Sequence, residues 1–248
     1  MTSSQNTNVH THSASTRERA VVLLSGGLDS VTALVKAMEQ YDVVRAVTAN
    51  YGQRAFEQEK AAAQQIALHY GIRHFIVDLT WMMTLLPQAL GNESDDVVAG
   101  LPQGTVQQNR SDVPDSTVNV WVPNRNGVLL NIAAAFAEAD GANIIIFGAN
   151  ADEAQGFPDN TEAFRDTVTA SLRYSTLNHV RVETPVGQMR KHEMIAYAVA
   201  HDMPLDKIWS CYESGKAHCG VCASCKLLKE AIALQQNKVL TVEPAFLA

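Results

Sequence analysis

Cys211, Cys219, Cys222 and Cys225 are the only cysteines of the 248-residue chain, spaced x7, x2 and x2. Thiolates at such separations can close around one tetrahedral ion, and Gly220, beside Cys219, permits the positive φ that a tight knuckle often needs. Crowded into one short stretch, they are a poor way to staple a chain of this length with disulfides. The spacing predicts a closed four-cysteine zinc site, structural in role, that folds a C-terminal lobe. C-x2-C-x2-C also occurs in iron–sulfur proteins, so a cluster stays open as the alternative. His218 reads as a bystander, because four thiolates already complete a tetrahedron.

The second constellation is Ser25-Gly26-Gly27-Leu28-Asp29-Ser30, directly after the apolar run Ala20 to Leu24. Paired glycines let successive N–H groups turn inward, the Ser25 and Ser30 hydroxyls add donors, and a following helix presents its positive end. A phosphate chain suits such a loop. The Lys of a Walker A loop and the spacing of GxGxxG are both missing. A plain βα turn with Asp29 or Ser30 as helix N-cap is the alternative reading.

The surrounding pattern supplies a scaffold. Strands are predicted over Ala20 to Leu24, Val43 to Ala49, His74 to Leu79, Asn143 to Phe147 and Val180 to Thr184, mostly apolar runs as buried parallel strands require. Helices are predicted over Ser30 to Glu39, Phe56 to Tyr70, Gly127 to Ala139, Asn160 to Tyr174, Lys191 to His201 and Lys226 to Gln236. The alternation predicts an α/β fold, a parallel sheet with helices on both faces, spanning 20–208, with a cysteine lobe and helix over 209–248. Residues 80–119, rich in Gly, Pro, Asn and Asp, read as a long loop insertion. Residues 1–19 lack an apolar run and read as a disordered tail, and His10 and His12 within it read as no metal site. A net charge of −7, from 26 Asp and Glu against 19 Lys and Arg, argues against broad nucleic-acid binding. No apolar stretch is long enough to span a membrane. A cytoplasmic enzyme is expected.

SGGLDS after a first strand resembles the hallmark of the PP-loop, or N-type ATP pyrophosphatase, family, whose fold is a Rossmann-like five-stranded parallel sheet. The resemblance implies ATP phosphates on Ser25, Gly26, Gly27, Asp29 and Ser30, with magnesium bridging them. It extends the nucleotide segment over Leu24, Leu28, Val31, Thr32, Ala33 and Leu34. With the four cysteines, the chain from Ala20 to about Ile232 resembles the 7-cyano-7-deazaguanine (preQ0) synthase family. Tyr51-Gly52-Gln53-Arg54, Val122-Pro123-Asn124-Arg125-Asn126, Gly148, Gly156-Phe157-Pro158-Asp159 and Cys211-Tyr212-x-x-Gly215 carry that likeness. It implies conversion of 7-carboxy-7-deazaguanine, ammonia and ATP to the nitrile, in queuosine biosynthesis, by a homodimer.

Within that reading Arg54 and Arg125 are candidates for the carboxylate or α-phosphate, since a guanidinium reads either bidentately. Asp159 is the first choice to accept the two N–H donors of a guanine-like edge, and Asp152 the second; helix N-capping is the competing use of Asp159. Lys191 is a candidate phosphate contact, and Trp121 and Phe157 are candidate stacking rings. The chain departs from the family at Ala55, where a His is usual, and at Phe157 and Asn160, where Tyr and Cys are usual. It also lacks the family's arginine-rich ending after Cys225. These departures leave open a related enzyme acting on another deazaguanine acceptor. A tRNA-modifying sulfur transferase of the same ATPase group and a non-catalytic binding module are the other readings.

Overall fold

In a computed structural model, residues 17–85 and 121–235 are described. The tail up to residue 16, residues 86–120, which hold most of the insertion proposed over 80–119, and the last residues from 236 lie outside them.

Five short β-rich runs form strands: β1 (Arg19–Leu23), β2 (Asp42–Asn50), β3 (Arg73–Asp78), β4 (Ile144–Ile146) and β5 (Arg181–Glu183). They form one sheet, every pairing parallel, in the order β3-β2-β1-β4-β5. Parallel strands need crossover connections, and four helices lie in them: α1 (Leu28–Gln40), α2 (Phe56–His69), α3 (Arg125–Ala139) and α4 (Glu162–Ser175), while α5 (Lys191–Ala200) follows β5. A sixth, α6 (Ala223–Gln235), begins just after Cys222 and carries Cys225 in its first turn. Thr80–Leu85 forms a 3-10 helix where sequence reading placed the start of a loop.

Strand residues alternate between two cores, as a period of two demands. Ala20, Val22, Ile144 and Ile146 pack with α1, α5 and α6 residues such as Val31, Leu34, Met194, Ile195 and Leu228. Val21, Ile145 and Val182 pack on the other face with Leu130, Ala133 and Ala137 of α3 and Leu172 of α4. Both faces are covered, so the buried strands are nearly all apolar. Among the described residues no helix is long and apolar enough to cross a membrane.

The chain leaves β1 toward β2 on one side, while β4 joins β1 on the other. Adjacent loops therefore diverge above the C-terminal ends of β1 and β4, and the crevice between them is where open α/β sheets collect ligands.

Candidate active site and metal centre

The loop after β1 is tied together by its own hydroxyls. Ser25 N donates to Ser30 Oγ at 3.2 Å, Gly27 N to Ser25 Oγ at 3.3 Å, and Ser30 Oγ to Gly27 O at 3.1 Å. Gly26 has φ +81°, and a methyl group there would lie 2.7 Å from Ala62 Cβ and 2.8 Å from Ala63 N. Glycine is required both by the left-handed backbone and by the close approach of α2. Gly148, just past β4, brings its Cα so near α1 that a Cβ would stand 3.0 Å from Ser30 N and Cα.

Gly27 is the N-cap residue of α1, with no side-chain capping bond. The capping alternative for Asp29 and Ser30 is therefore not what the fold uses. Asp29 Oδ2 instead ion-pairs with Lys191 Nζ, whose side chain is only 10% exposed. Lys191 Nζ also lies 3.6 Å from Glu153 Oε1. Burial alone pulls the Lys191 pKa down, but the attraction of Asp29 and Glu153 outweighs it and holds the ammonium above its usual value. Burial raises Glu153, offset in part by Lys191, and the nearby Asp29 charge raises it further. Asp29 Oδ1 is buried without a hydrogen-bond partner among the described residues.

Arg125 opens α3 after Asn124, which is in the left-handed region at φ 53°. Its guanidinium lies 5.4 Å from the Tyr51 ring centroid, and Nη1 donates to Tyr51 Oη at 3.5 Å. Asp159, Glu153 and Tyr212 are close enough to act electrostatically on it. Asp159 sits in the 3-10 turn Pro158–Asn160. Its carboxyl is raised by burial and pulled back by Arg125 and by a hydrogen bond from Asn126. It does not cap α4: Thr161 Oγ1 does, accepting from Phe164 N at 3.3 Å. Asp152 is committed elsewhere, its Oδ2 accepting from Lys191 N at 3.0 Å.

The fold thus brings Ser25, Asp29 and Ser30 onto the β1 side of the crevice and Arg125 and Asp159 onto a second cluster linked to them through Glu153. Arg54 lies apart on an exposed rim, with Nη1 3.4 Å from Glu213 Oε2. Leu24, Leu28, Val31, Ala33 and Leu34 bury their side chains in the core, and Thr32 Oγ1 donates to Leu28 O at 2.7 Å. Any nucleotide contact from these six is through backbone. Sequence reading passed over Glu153 and named Tyr212 only as part of a family motif, with no role at the site. Tyr212 keeps 38% of its surface open, yet burial by the walls of the crevice and the Glu153 carboxylate push its phenol up to about 12. With Tyr51 it supplies the rings of this electrostatic cluster, whereas sequence reading nominated Trp121 and Phe157. Only its place beside Cys211 hinted at this.

The four cysteine sulfurs all lie within 4.8 Å of one another, with Cys211 to Cys222 and Cys219 to Cys225 at 4.0 Å. Four sulfurs bound at about 2.3 Å to one tetrahedral ion stand about 3.8 Å apart, so the set fits a single metal ion. A multi-iron cluster, whose thiolates ligate separate irons, needs more room. All four are free of disulfides, and backbone N–H groups of Glu213, Cys219, Cys222 and Cys225 donate to sulfur at 3.3 to 3.4 Å. Burial opposes ionisation of Cys219, but N–H donors from Val221 and Cys222 prevail and bring it to about 7. Gly220 takes φ +74° in this knuckle. His218 stays outside it, stacked on Trp209 at 4.5 Å and accepting from Ser210 N at 3.0 Å.

A family model described as "Queuosine biosynthesis protein QueC" matches residues 19–236. A 7-cyano-7-deazaguanine synthase of Carboxydothermus hydrogenoformans is 42% identical over 86% of this chain and 98% of its own. One of Bdellovibrio bacteriovorus is 42% identical over 87% and 93%, and one of Methanosarcina mazei 39% over 84% and 90%. A solved complex of 4-thiouridine synthetase with RNA and ATP is a more distant likeness, 17% identical with a TM-score of 0.46 over 89% of this chain and 53% of that one. A family match over most of the chain, with the loop after β1 and the four-cysteine centre intact, establishes that the chain belongs to the QueC family of queuosine biosynthesis proteins.

Proposed function

We propose that the chain converts 7-carboxy-7-deazaguanine, ammonia and ATP into 7-cyano-7-deazaguanine. The observation that carries this is the meeting of the Ser25–Ser30 loop, the Asp29, Lys191 and Glu153 charges, and the Arg125 and Asp159 cluster at one crevice of a chain belonging to this family. A carboxylate is a poor electrophile, since its leaving group is oxide. Transfer of AMP makes a mixed anhydride that ammonia attacks, giving the amide, AMP and a proton. A second adenylation on the amide oxygen, followed by loss of AMP and protons, gives the nitrile.

Each side chain then has a task. The loop amides and the Ser25 and Ser30 hydroxyls hold the phosphates. Lys191 offsets their charge. Asp29 Oδ1 and Glu153 fit a magnesium ion, which would neutralise the leaving pyrophosphate. Arg125 orients the substrate carboxylate against the α-phosphate, a positioning effect. Asp159 accepts the N–H donors of the deazaguanine edge. Arg54 on the rim serves as a second guanidinium only after leaving Glu213. Zinc is the metal we assign to the cysteines, since a closed S4 tetrahedron suits it and leaves no open position.

A homodimer in the cytoplasm, acting on small molecules without nucleic acid, completes the reading; the charge of −7 supports the last point. Sulfur transfer is disfavoured because a persulfide needs a spare cysteine, and all four lie in the metal cluster. Incubation with magnesium-ATP, ammonia and 7-carboxy-7-deazaguanine, followed by mass spectrometry, should yield amide, nitrile and AMP. Absence of AMP above background rejects the proposal.

A further inference from the structure

Two serines from opposite ends of the chain meet at Gly27. A methyl group on Gly27 would lie 3.5 Å from Ser25 Oγ and 3.6 Å from Ser210 Oγ. Each hydroxyl accepts from one of two successive loop amides: Gly27 N reaches Ser25 Oγ at 3.3 Å, and Leu28 N reaches Ser210 Oγ at 3.1 Å. Ser25 belongs to the loop itself, but Ser210 arrives from the cysteine lobe, one residue before Cys211.

Its placement is held from several sides. Trp209 N donates to Gly26 O at 2.9 Å, pinning the lobe to the loop backbone. Ser210 N donates to His218 Nε2 at 3.0 Å, and the His218 ring stacks on Trp209. Cys211 is 1% exposed within the sulfur cluster. A side chain fixed this way is preorganised, so little rotamer entropy is lost when a ligand uses it.

We propose that Ser210 is a phosphate-binding residue of the nucleotide site, carried to the loop by the cysteine lobe. The inference rests on reading Ser25–Ser30 as the ATP loop. A hydroxyl both donates and accepts. Without nucleotide, its oxygen satisfies the Leu28 amide, which would otherwise be an orphan donor of the first turn of α1. With a phosphate in the loop, the Leu28 N–H turns to phosphate oxygen and the Ser210 O–H donates to the same group. The lobe then contributes directly to nucleotide affinity, and its four cysteines set the position of that hydroxyl.

The test is calorimetric titration of the metal-loaded full chain with magnesium and a non-hydrolysable ATP analogue, with metal content measured in each sample. Ser210→Ala should raise Kd about tenfold, the size of one hydrogen bond to a charged group, at unchanged metal content. Ser210→Thr should stay within about threefold of the parent chain, and Ser210→Val, with the same shape and no hydroxyl, should behave like Ser210→Ala. Equal Kd for the Thr and Val variants overturns the proposal, as does a Kd for Ser210→Ala equal to that of the parent chain. If Ser210→Ala sheds metal, the Thr and Val comparison decides alone. Ser25→Ala serves as the control. Weak binding in Ser25→Ala with normal binding in every Ser210 variant sinks this inference alone, whereas no binding by the parent chain sinks the ATP reading as well.

Discussion

The ammonium of Lys191, the first residue of α5, is ion-paired with the carboxylate of Asp29 in the first turn of α1. Two helix N-termini therefore bring their positive ends toward one point, and a lysine adds to the same sign. Asp29 and Glu153 make this tolerable in the free protein. Arriving phosphates can take over that role, which leaves Asp29 free for a cation. On the proposed reading, Lys191 and the two helix N-termini are the positive groups that a phosphate chain would meet.

Lys191→Met should leave Asp29 and Glu153 facing each other without their shared cation. We expect kcat/KM for ATP to fall about 10²- to 10³-fold, the usual cost of losing one preorganised electrostatic partner, in steady-state assays of AMP release. The folded-state pKa of Lys191 is raised, so its stabilising contribution is full below the unfolded value of about 10.4 and fades only as pH climbs beyond that. Thermal melts of the parent chain from pH 7 to 10 should show no alkaline loss that Lys191→Met removes.

Asp159→Asn should damage recognition of the deazaguanine and spare ATP. A carboxylate accepting two N–H donors is worth about ten- to a hundredfold in binding, so KM for the deazaguanine should rise by that factor while Kd for the ATP analogue stays put. Burial raises the Asp159 pKa. On acidification the acceptor is then lost at a pH above the ordinary Asp value of about 3.9. KM in the parent chain should climb on that limb, and the Asn variant should lack the climb.

Local pattern reached the scaffold because each strand and helix announces itself within a few residues. The apolar run predicted over Val43 to Ala49 is β2, Asp42–Asn50, and the helix predicted from Lys191 begins there. The misjudged ends have physical causes. The strand predicted over Asn143 to Phe147 keeps only Ile144–Ile146, and α4 starts at Glu162 rather than Asn160 because Thr161 is its cap. The candidate site was legible only where a motif is continuous, as in Ser25 to Ser30. The partners of those residues lie far along the chain. Lys191 beside Asp29, Ser210 under Leu28 and Glu153 between two clusters depend on the order of strands, which no local periodicity encodes.

Gly148→Ala tests how closely the β1 and β4 loops must approach. Its Cβ would stand 3.0 Å from backbone atoms of Ser30, and backbone cannot swing aside as a side-chain tip can. The loop should be pushed from its phosphate-binding geometry at a cost of about 1–3 kcal/mol. The expected readout is weaker binding of the ATP analogue and a lowered melting temperature, with metal content unchanged.

Cys222→Ser tests the metal centre from the opposite direction. Cys222 is 8% exposed, Cys211 1% and Cys225 0%, so removing one thiolate leaves a buried incomplete tetrahedron. Thiolate ligands of a structural ion contribute to folding outright. Metal per chain should drop well below one by elemental analysis, and the melting temperature should fall by more than about 5 °C, since each kcal/mol moves a chain of this size by a few degrees. Because Trp209 and Ser210 clasp Gly26 and Leu28 from that lobe, affinity for the ATP analogue should fall together with the metal. Asp29→Ala should separate the two losses, abolishing turnover at full metal content. Unchanged metal in Cys222→Ser would contradict a site built from all four cysteines.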